Sequence, residues 1–200
     1  MATNSLWVKN VEIPTSSHPE IKKLKRKTKV HNLHGNKIWD SSMVIIESLD
    51  EMDIINNKIL DLGCGWGALT HYLQSKGAYA VGMDADENVK PYFDLMSSLM
   101  GVKPKFILQD IFSEPLPLNF NTYIAVDVCF WNIHTDLWIN LIKYLNDNDK
   151  QLIIVDPGRE SFWELLDKTS DGIHDICFNY QRLHIDKPKK TDAYIVIFGE

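Results

Sequence analysis

The sequence predicts an α/β domain: a doubly wound, mainly parallel sheet of seven strands with helices on both faces and an antiparallel C-terminal strand. Three observations predict it. Short apolar runs alternate with longer stretches of helical period from Lys58 onward. The first five of those runs each finish on an aspartate or carry one near the end, and a glycine-rich loop follows the first of them. With 200 residues and 44% hydrophobic content, the chain is long enough to bury one such core.

Residues 1–35 read as an N-terminal extension, in which Pro14 and Pro19 interrupt regular structure. Lys22, Lys23, Lys25, Arg26, Lys27 and Lys29 crowd together there without an intervening acid. Setting these six aside leaves 15 basic against 27 acidic residues, a net charge of -12 for the rest of the chain. Such a cluster either stays solvated or docks an acidic protein, a phosphate-bearing substrate or RNA. Residues 36–200 form the main domain. Trp39, Met43, Ile46 and Leu49 recur at helical spacing, which predicts one amphipathic helix from Ile38 to near Met52. Then come KILDL and GALTHYLQSK, AYAVGMD and VKPYFDLMSSLM, KFILQD, TYIAVD and TDLWINLIKYL, QLIIVD and ESFWELL. After KFILQD, Pro115 and Pro117 reduce the expected crossover to an irregular loop. The last two segments, near IHDICFNYQRL and AYIVIFG, have no helix between them and predict an antiparallel hairpin turning at Lys187 to Lys190.

Charge and composition exclude several classes. A net charge of -6 argues against a general nucleic-acid-coating or membrane-surface role and makes nucleic acid an unexpected partner. The longest unbroken apolar run, Ala193 to Phe198, is far short of the roughly 20 residues that span a bilayer. Lys9 and Glu12 interrupt the apolar core that a signal peptide would need, so a cytoplasmic location is expected. Cys64, Cys129 and Cys177 show no paired CxxC spacing, which indicates neither a disulfide framework nor a zinc site. His31 and His34 lack a third ligand at metal spacing, so no metal is expected. Cys64 and Cys129 fall at strand ends without a nearby base, and packing is their expected role.

Asp61, Asp84, Asp110, Asp127 and Asp156 should lie along one edge, because ligands of open parallel sheets sit beyond the carboxyl ends of the strands. Any one of them could instead cap the following helix, and Asp86 is the better cap beside Asp84. Together they would suit a cationic ligand or one offering several hydroxyl and amino donors. ILDLGCGWGALT places Gly63, Gly65 and Gly67 between an apolar strand and a helix, where backbone can closely approach a ligand. GCGWGA also satisfies the degenerate dinucleotide pattern GxGxxA, so the loop alone does not name a cofactor.

Taken with the acid two residues before Gly63, the third glycine at Gly67 and the preceding helix, this Rossmann-like pattern resembles the class I S-adenosylmethionine-dependent methyltransferases over residues 36–200. The resemblance implies S-adenosyl-L-methionine as cofactor. Asp61 and the glycines would hold its methionine end, Asp84 its ribose hydroxyls and Asp110 its adenine amine. Asp84 lies 21 residues beyond Gly63, as a strand, helix, strand path requires. KIWDSS, AVDVCFW and VDPGRESF are similar to segments of the small group containing the electron-transfer-flavoprotein lysine methyltransferase and its bacterial relatives. In that group a tryptophan before the first strand, here Trp39, helps wall the cofactor; a core-facing helix residue is the alternative. The group's [DE]xx[YF] signature falls on Asp127, Val128, Cys129 and Phe130, with phenylalanine in place of a tyrosine hydroxyl.

The resemblance implies N-methylation of a protein lysine or other amine. Asp127 would position the acceptor as the catalytic carboxylate, Phe130 and Trp131 would wall its pocket, and Asp156 and Arg159 would contribute to substrate binding. Asp156 and Arg159 could also simply pair with each other across the DPGR turn. The [DNS]PP[YFW] signature of exocyclic base methylation is absent from DVCF. The alternatives are a methyltransferase for a small amine-containing metabolite, a non-catalytic module that retains a cofactor pocket, and an NAD-dependent oxidoreductase, for which no substrate domain or proton-donor motif is legible.

Overall fold

A computed structural model describes residues 4–9, 11–27, 37–49, 55–172, 176 and 178–199. Lys29, His31, His34, Cys177 and the expected helix end near Met52 lie outside the described residues. In chain order the elements are β1 (Ser5–Val8), β2 (Val11–Pro14), α1 (Pro19–Lys27), α2 (Asp40–Ser48), β3 (Lys58–Leu62), α3 (Ala68–Ser75), β4 (Tyr79–Asp84), α4 (Lys90–Met100), β5 (Lys105–Leu108), β6 (Thr122–Val126), α5 (Thr135–Asn146), β7 (Gln151–Asp156), α6 (Glu160–Gly172), β8 (Phe178–Ile185) and β9 (Thr191–Phe198).

The main sheet has seven strands in the order β5-β4-β3-β6-β7-β9-β8. β3 to β7 are parallel, and β9 alone runs against its neighbours on either side. The central strands read as continuous apolar runs because both of their faces are covered. Ile59, Ile124 and Ile153 enter one core with Leu69, Tyr72 and Met96 from α3 and α4. Leu60, Tyr123, Leu152 and Ile154 enter the other with Trp138, Leu141 and Leu145 from α5 and Phe162 and Leu165 from α6. The strand period of two thus feeds two layers, and helices whose apolar residues recur every three or four positions close both. As expected, no helix joins β5 to β6, and β8 and β9 form the C-terminal hairpin.

The first residues differ from the sequence expectation. They form an antiparallel hairpin, β1 with β2, followed by α1. Pro14 closes β2 and Pro19 opens α1, where its missing N–H is no loss. Val8, Val11, Ile13 and Ile21 are buried in the same core as α3 and α4, so hydrophobic burial holds this segment to the sheet's helical layer. The helix expected from Ile38, α2, starts instead at Asp40, with Trp39 as its extended N-cap.

Parallel winding puts the carboxyl ends of β3 to β7 on one rim. Asp61, Asp84, Asp110, Asp127 and Asp156 follow in turn along it.

Candidate active site at the strand rim

The loop leaving β3 turns back on itself through Gly63, Gly65 and Gly67, all at positive φ. At Gly67 a Cβ would fall 2.4 Å from the Phe93 ring, so the loop seats on α4 only with glycine there. A Cβ at Gly65 would meet nothing within 4 Å, because this residue borders open cavity. His71 of α3 supports the turn from behind. Its Nδ1 lies 2.6 Å from the Gly67 carbonyl oxygen and its Nε2 2.8 Å from Ser97 Oγ. Burial lowers its pKa to about 4, so the ring is neutral near pH 7. Sequence reasoning missed His71; its only signal is a polar residue on the apolar face of α3.

The Gly65 N–H donates to Asp84 Oδ2 at 2.8 Å, and the Asp86 N–H donates to Oδ1 at 2.9 Å. Two backbone amides thereby aim the Asp84 carboxylate, although burial raises its pKa above the usual value. Asp86 caps the turn after β4, accepting from the Asn88 N–H at 2.9 Å. Asp110, exposed at the end of β5, accepts from the Phe112 N–H at 2.7 Å. This local turn lays Ile111 and Phe112 along the cavity. Asp61 is only 2% exposed, and Thr70 Oγ1 donates to its Oδ2 at 2.5 Å. Burial, partly opposed by that hydrogen bond, raises its pKa to about 7.

Asp127 follows β6 at a left-handed φ of 58°, a conformation that aspartate tolerates better than most residues. It is 4% exposed, and both of its oxygens are engaged. The Ser41 N–H donates to Oδ2 at 3.2 Å, and Arg159 Nη2 donates to Oδ1 at 2.7 Å. Arg159 Nη1 also donates to Asp156 Oδ2 at 2.5 Å, while the Gly158 and Arg159 amides donate to Asp156 Oδ1. One guanidinium therefore bridges two buried carboxylates and lies 4.3 Å from the centroid of Phe130. Phe130 in turn meets Trp39 edge-on at 5.3 Å.

These parts enclose a cavity of about 210 Å³ that brings together Trp39, Gly63, Gly65, Asp84, Asp110 and Asp127. Phe130 and Trp131 form its far wall. A smaller cavity of about 30 Å³ continues under the loop, lined by Asp61 and Gly67, and shares Lys37, Trp39, Gly63 and Gly65 with the first. Asp156 and Arg159 line neither cavity; they pair with each other, one of the two expectations, and Arg159 additionally pairs with Asp127. Lys37, Ile111, Phe112, His134 and Trp138 line the larger cavity and were not foreseen. Ile111 and Phe112 directly follow Asp110, a signal that could have found them, whereas Trp138 lies in α5, more than 20 residues away in sequence. Burial raises the thiol pKa values of both Cys64 and Cys129, which leaves them protonated and poorly nucleophilic. No helix among the described residues is long and apolar enough to cross a membrane.

The chain shares its fold with S-adenosylmethionine-dependent methyltransferases of known structure. The magnesium protoporphyrin IX methyltransferase of Synechocystis PCC 6803, solved with S-adenosylmethionine bound, matches with a TM-score of 0.60 at 15% identity, over 92% of this chain and 93% of that one. The tRNA (uracil-54, C5)-methyltransferase of Pyrococcus abyssi, solved with S-adenosyl-L-homocysteine, matches with a TM-score of 0.62 at 16% identity. That match covers 99% of this chain but 44% of the other. At such identities the likeness is one of fold. No family model and no curated protein matches the sequence.

Proposed function

We propose that the protein is an S-adenosylmethionine-dependent methyltransferase acting on an amine, with a protein lysine as acceptor and an amine-containing metabolite as the alternative. The observation that carries this reading is the meeting of Gly65, Asp84, Asp110 and Asp127 in one cavity at the carboxyl rim of a sheet with the methyltransferase fold. The residues fit the cofactor. Gly65 leaves open space where any side chain would project, and Asp84 offers a carboxylate, pre-aimed by two amides, to a vicinal diol. Asp110 stands at the next strand end for an amino donor. Asp61 and the glycine loop border the smaller cavity, where a methionyl chain would lie. When bound, the cofactor supplies a methyl group on a sulfonium, open to in-line displacement.

The chain's own work is then positional. Trp39, Phe130 and Trp131 exclude water from the acceptor side and favour an amine in its neutral, nucleophilic form. Asp127 faces the cavity with lone pairs beyond those taken by Ser41 and Arg159, and would accept a hydrogen bond from the acceptor N–H. Arg159 and Asp156 act one layer back by holding Asp127 and Phe130. Phe130 contributes shape alone, since it has no hydroxyl. The segments around Trp39, Asp127 and Arg159 support placement beside the electron-transfer-flavoprotein lysine methyltransferase group.

The test is transfer from methyl-labelled S-adenosylmethionine to a cell extract, followed by protease and nuclease digestion. Protease-sensitive label that is absent with Asp84→Ala supports a protein acceptor. Label in the low-molecular-weight filtrate supports the metabolite. Nuclease-sensitive label, or no cofactor binding at all, would sink the reading.

A further inference from the structure

Among the described residues, Lys37 is the one cationic Lys or Arg side chain that lines either cavity. Asp61, Asp84, Asp86, Asp110 and Asp127 stand around the same space. A ligand bringing a carboxylate into so acidic a setting is repelled unless a cation or N–H donors face it. Lys37 also has the right place. It belongs to both cavities, at the junction of the part carrying Asp84 and Asp110 with the part carrying Asp61 and the glycine loop. Its Nζ lies 4.0 Å from the centroid of Trp39, whose ring face holds the ammonium without neutralising it. None of the described acids forms an ion pair with it, whereas Lys189 pairs with Asp40 only a few residues along the chain.

We propose that Lys37 is the cofactor-carboxylate residue: its ammonium binds the α-carboxylate at the methionyl end of S-adenosylmethionine. The inference rests on the function proposed above and adds a residue to the binding site. It divides the zwitterionic end of the ligand by charge, with the carboxylate to Lys37 and the α-ammonium to the Asp61 side. It also explains how a rim of acids accepts an anionic group. The ammonium held on Trp39 is the offsetting charge, and Trp39 thereby acquires a second task beyond walling the cavity.

Titration calorimetry with the full chain tests this without any acceptor, using S-adenosylmethionine and its decarboxylated analogue, which keeps the amine and the sulfonium. The native protein is expected to prefer S-adenosylmethionine by about 10- to 100-fold, the range for a charge-assisted contact. Lys37→Met should abolish that preference by weakening S-adenosylmethionine alone, and Lys37→Arg should keep most of it. Equal weakening of both ligands would reduce Lys37 to a wall. An unchanged affinity, or no preference in the native protein, would overturn the proposal without needing a folded variant. Mass spectrometry that finds a methyl group on Lys37 after incubation would also overturn it, by making Lys37 an acceptor. If the native protein binds neither ligand, the methyltransferase reading itself fails; if it binds S-adenosylmethionine and Lys37→Met binds equally well, only this inference fails.

Discussion

Asp61 carries a conflict between stability and ligand binding. Its folded pKa of about 7 lies above the ordinary 3.8, so between these values the folded state holds the extra proton. Stability from this group falls as pH rises through that window, and the full cost is present above pH 7. Asp61→Asn keeps an acceptor for Thr70, so urea unfolding at pH 8 should show a gain of up to about 4 kcal/mol, vanishing toward pH 4. Calorimetry should show weaker S-adenosylhomocysteine binding in the same variant. His71 has the opposite sign. Its folded pKa of about 4 lies below the ordinary 6.5, so its contribution is present above pH 6.5 and is lost as pH falls toward 4. A His71→Gln variant measured over that range should lose less stability on acidification than the parent.

Between elements, Arg159 joins the ends of β6 and β7, and Asp127 extends the link to the first turn of α2 through the Ser41 N–H. Arg159→Leu would strand two buried carboxylates, and urea unfolding should register a loss of about 3–5 kcal/mol, larger than removal of an exposed ion pair. Half of this arrangement was legible beforehand. Asp156 and Arg159 are three residues apart in a turn, so their pairing is local. The Asp127 contact spans 32 residues and depends on β6 and β7 being neighbours. The strands themselves were legible because burial on both faces writes uninterrupted apolar runs. The β1–β2 hairpin was not, since two four-residue strands, the second ending in a proline, look like loop until tertiary burial of Val8, Val11 and Ile13 is known. Lys37 escaped for a related reason: one lysine near a basic cluster gains meaning only from the cavity that it borders.

At the scale of the whole molecule, α1 and the hairpin share a core with the helices beside the glycine loop, which predicts a single unfolding transition. Ile21 is fully buried, and Ile21→Ala should cost about 2–4 kcal/mol of stability and lower the midpoint of that one transition without splitting it. A separate early transition would show that residues 1–27 fold apart from the sheet. Ligand should move the same transition upward. S-adenosylhomocysteine at 100 times its dissociation constant adds about 2.7 kcal/mol, which for a chain of this size is about 5–10 °C in differential scanning fluorimetry.

The reversed β9 has a consequence for molecules that have not yet touched the protein. Because it starts at the rim where β7 ends, the turn between β8 and β9 carries exposed Lys187, Lys189 and Lys190 to the same edge as the strand-end aspartates. The sheet order then sets Asp110 and Asp84 toward one end of that edge and Lys187 and Lys190 toward the other, beside the Lys189–Asp40 pair. The edge is therefore more negative at the Asp84 and Asp110 end than at the other, where Asp186 and Asp192 flank the lysines. An approaching molecule with unlike ends feels a torque before it feels a contact, and is turned toward one heading within about 10 Å of the surface at ordinary salt. Raising the ionic strength shortens that reach, so arrival would slow while the grip of the finished complex changes little.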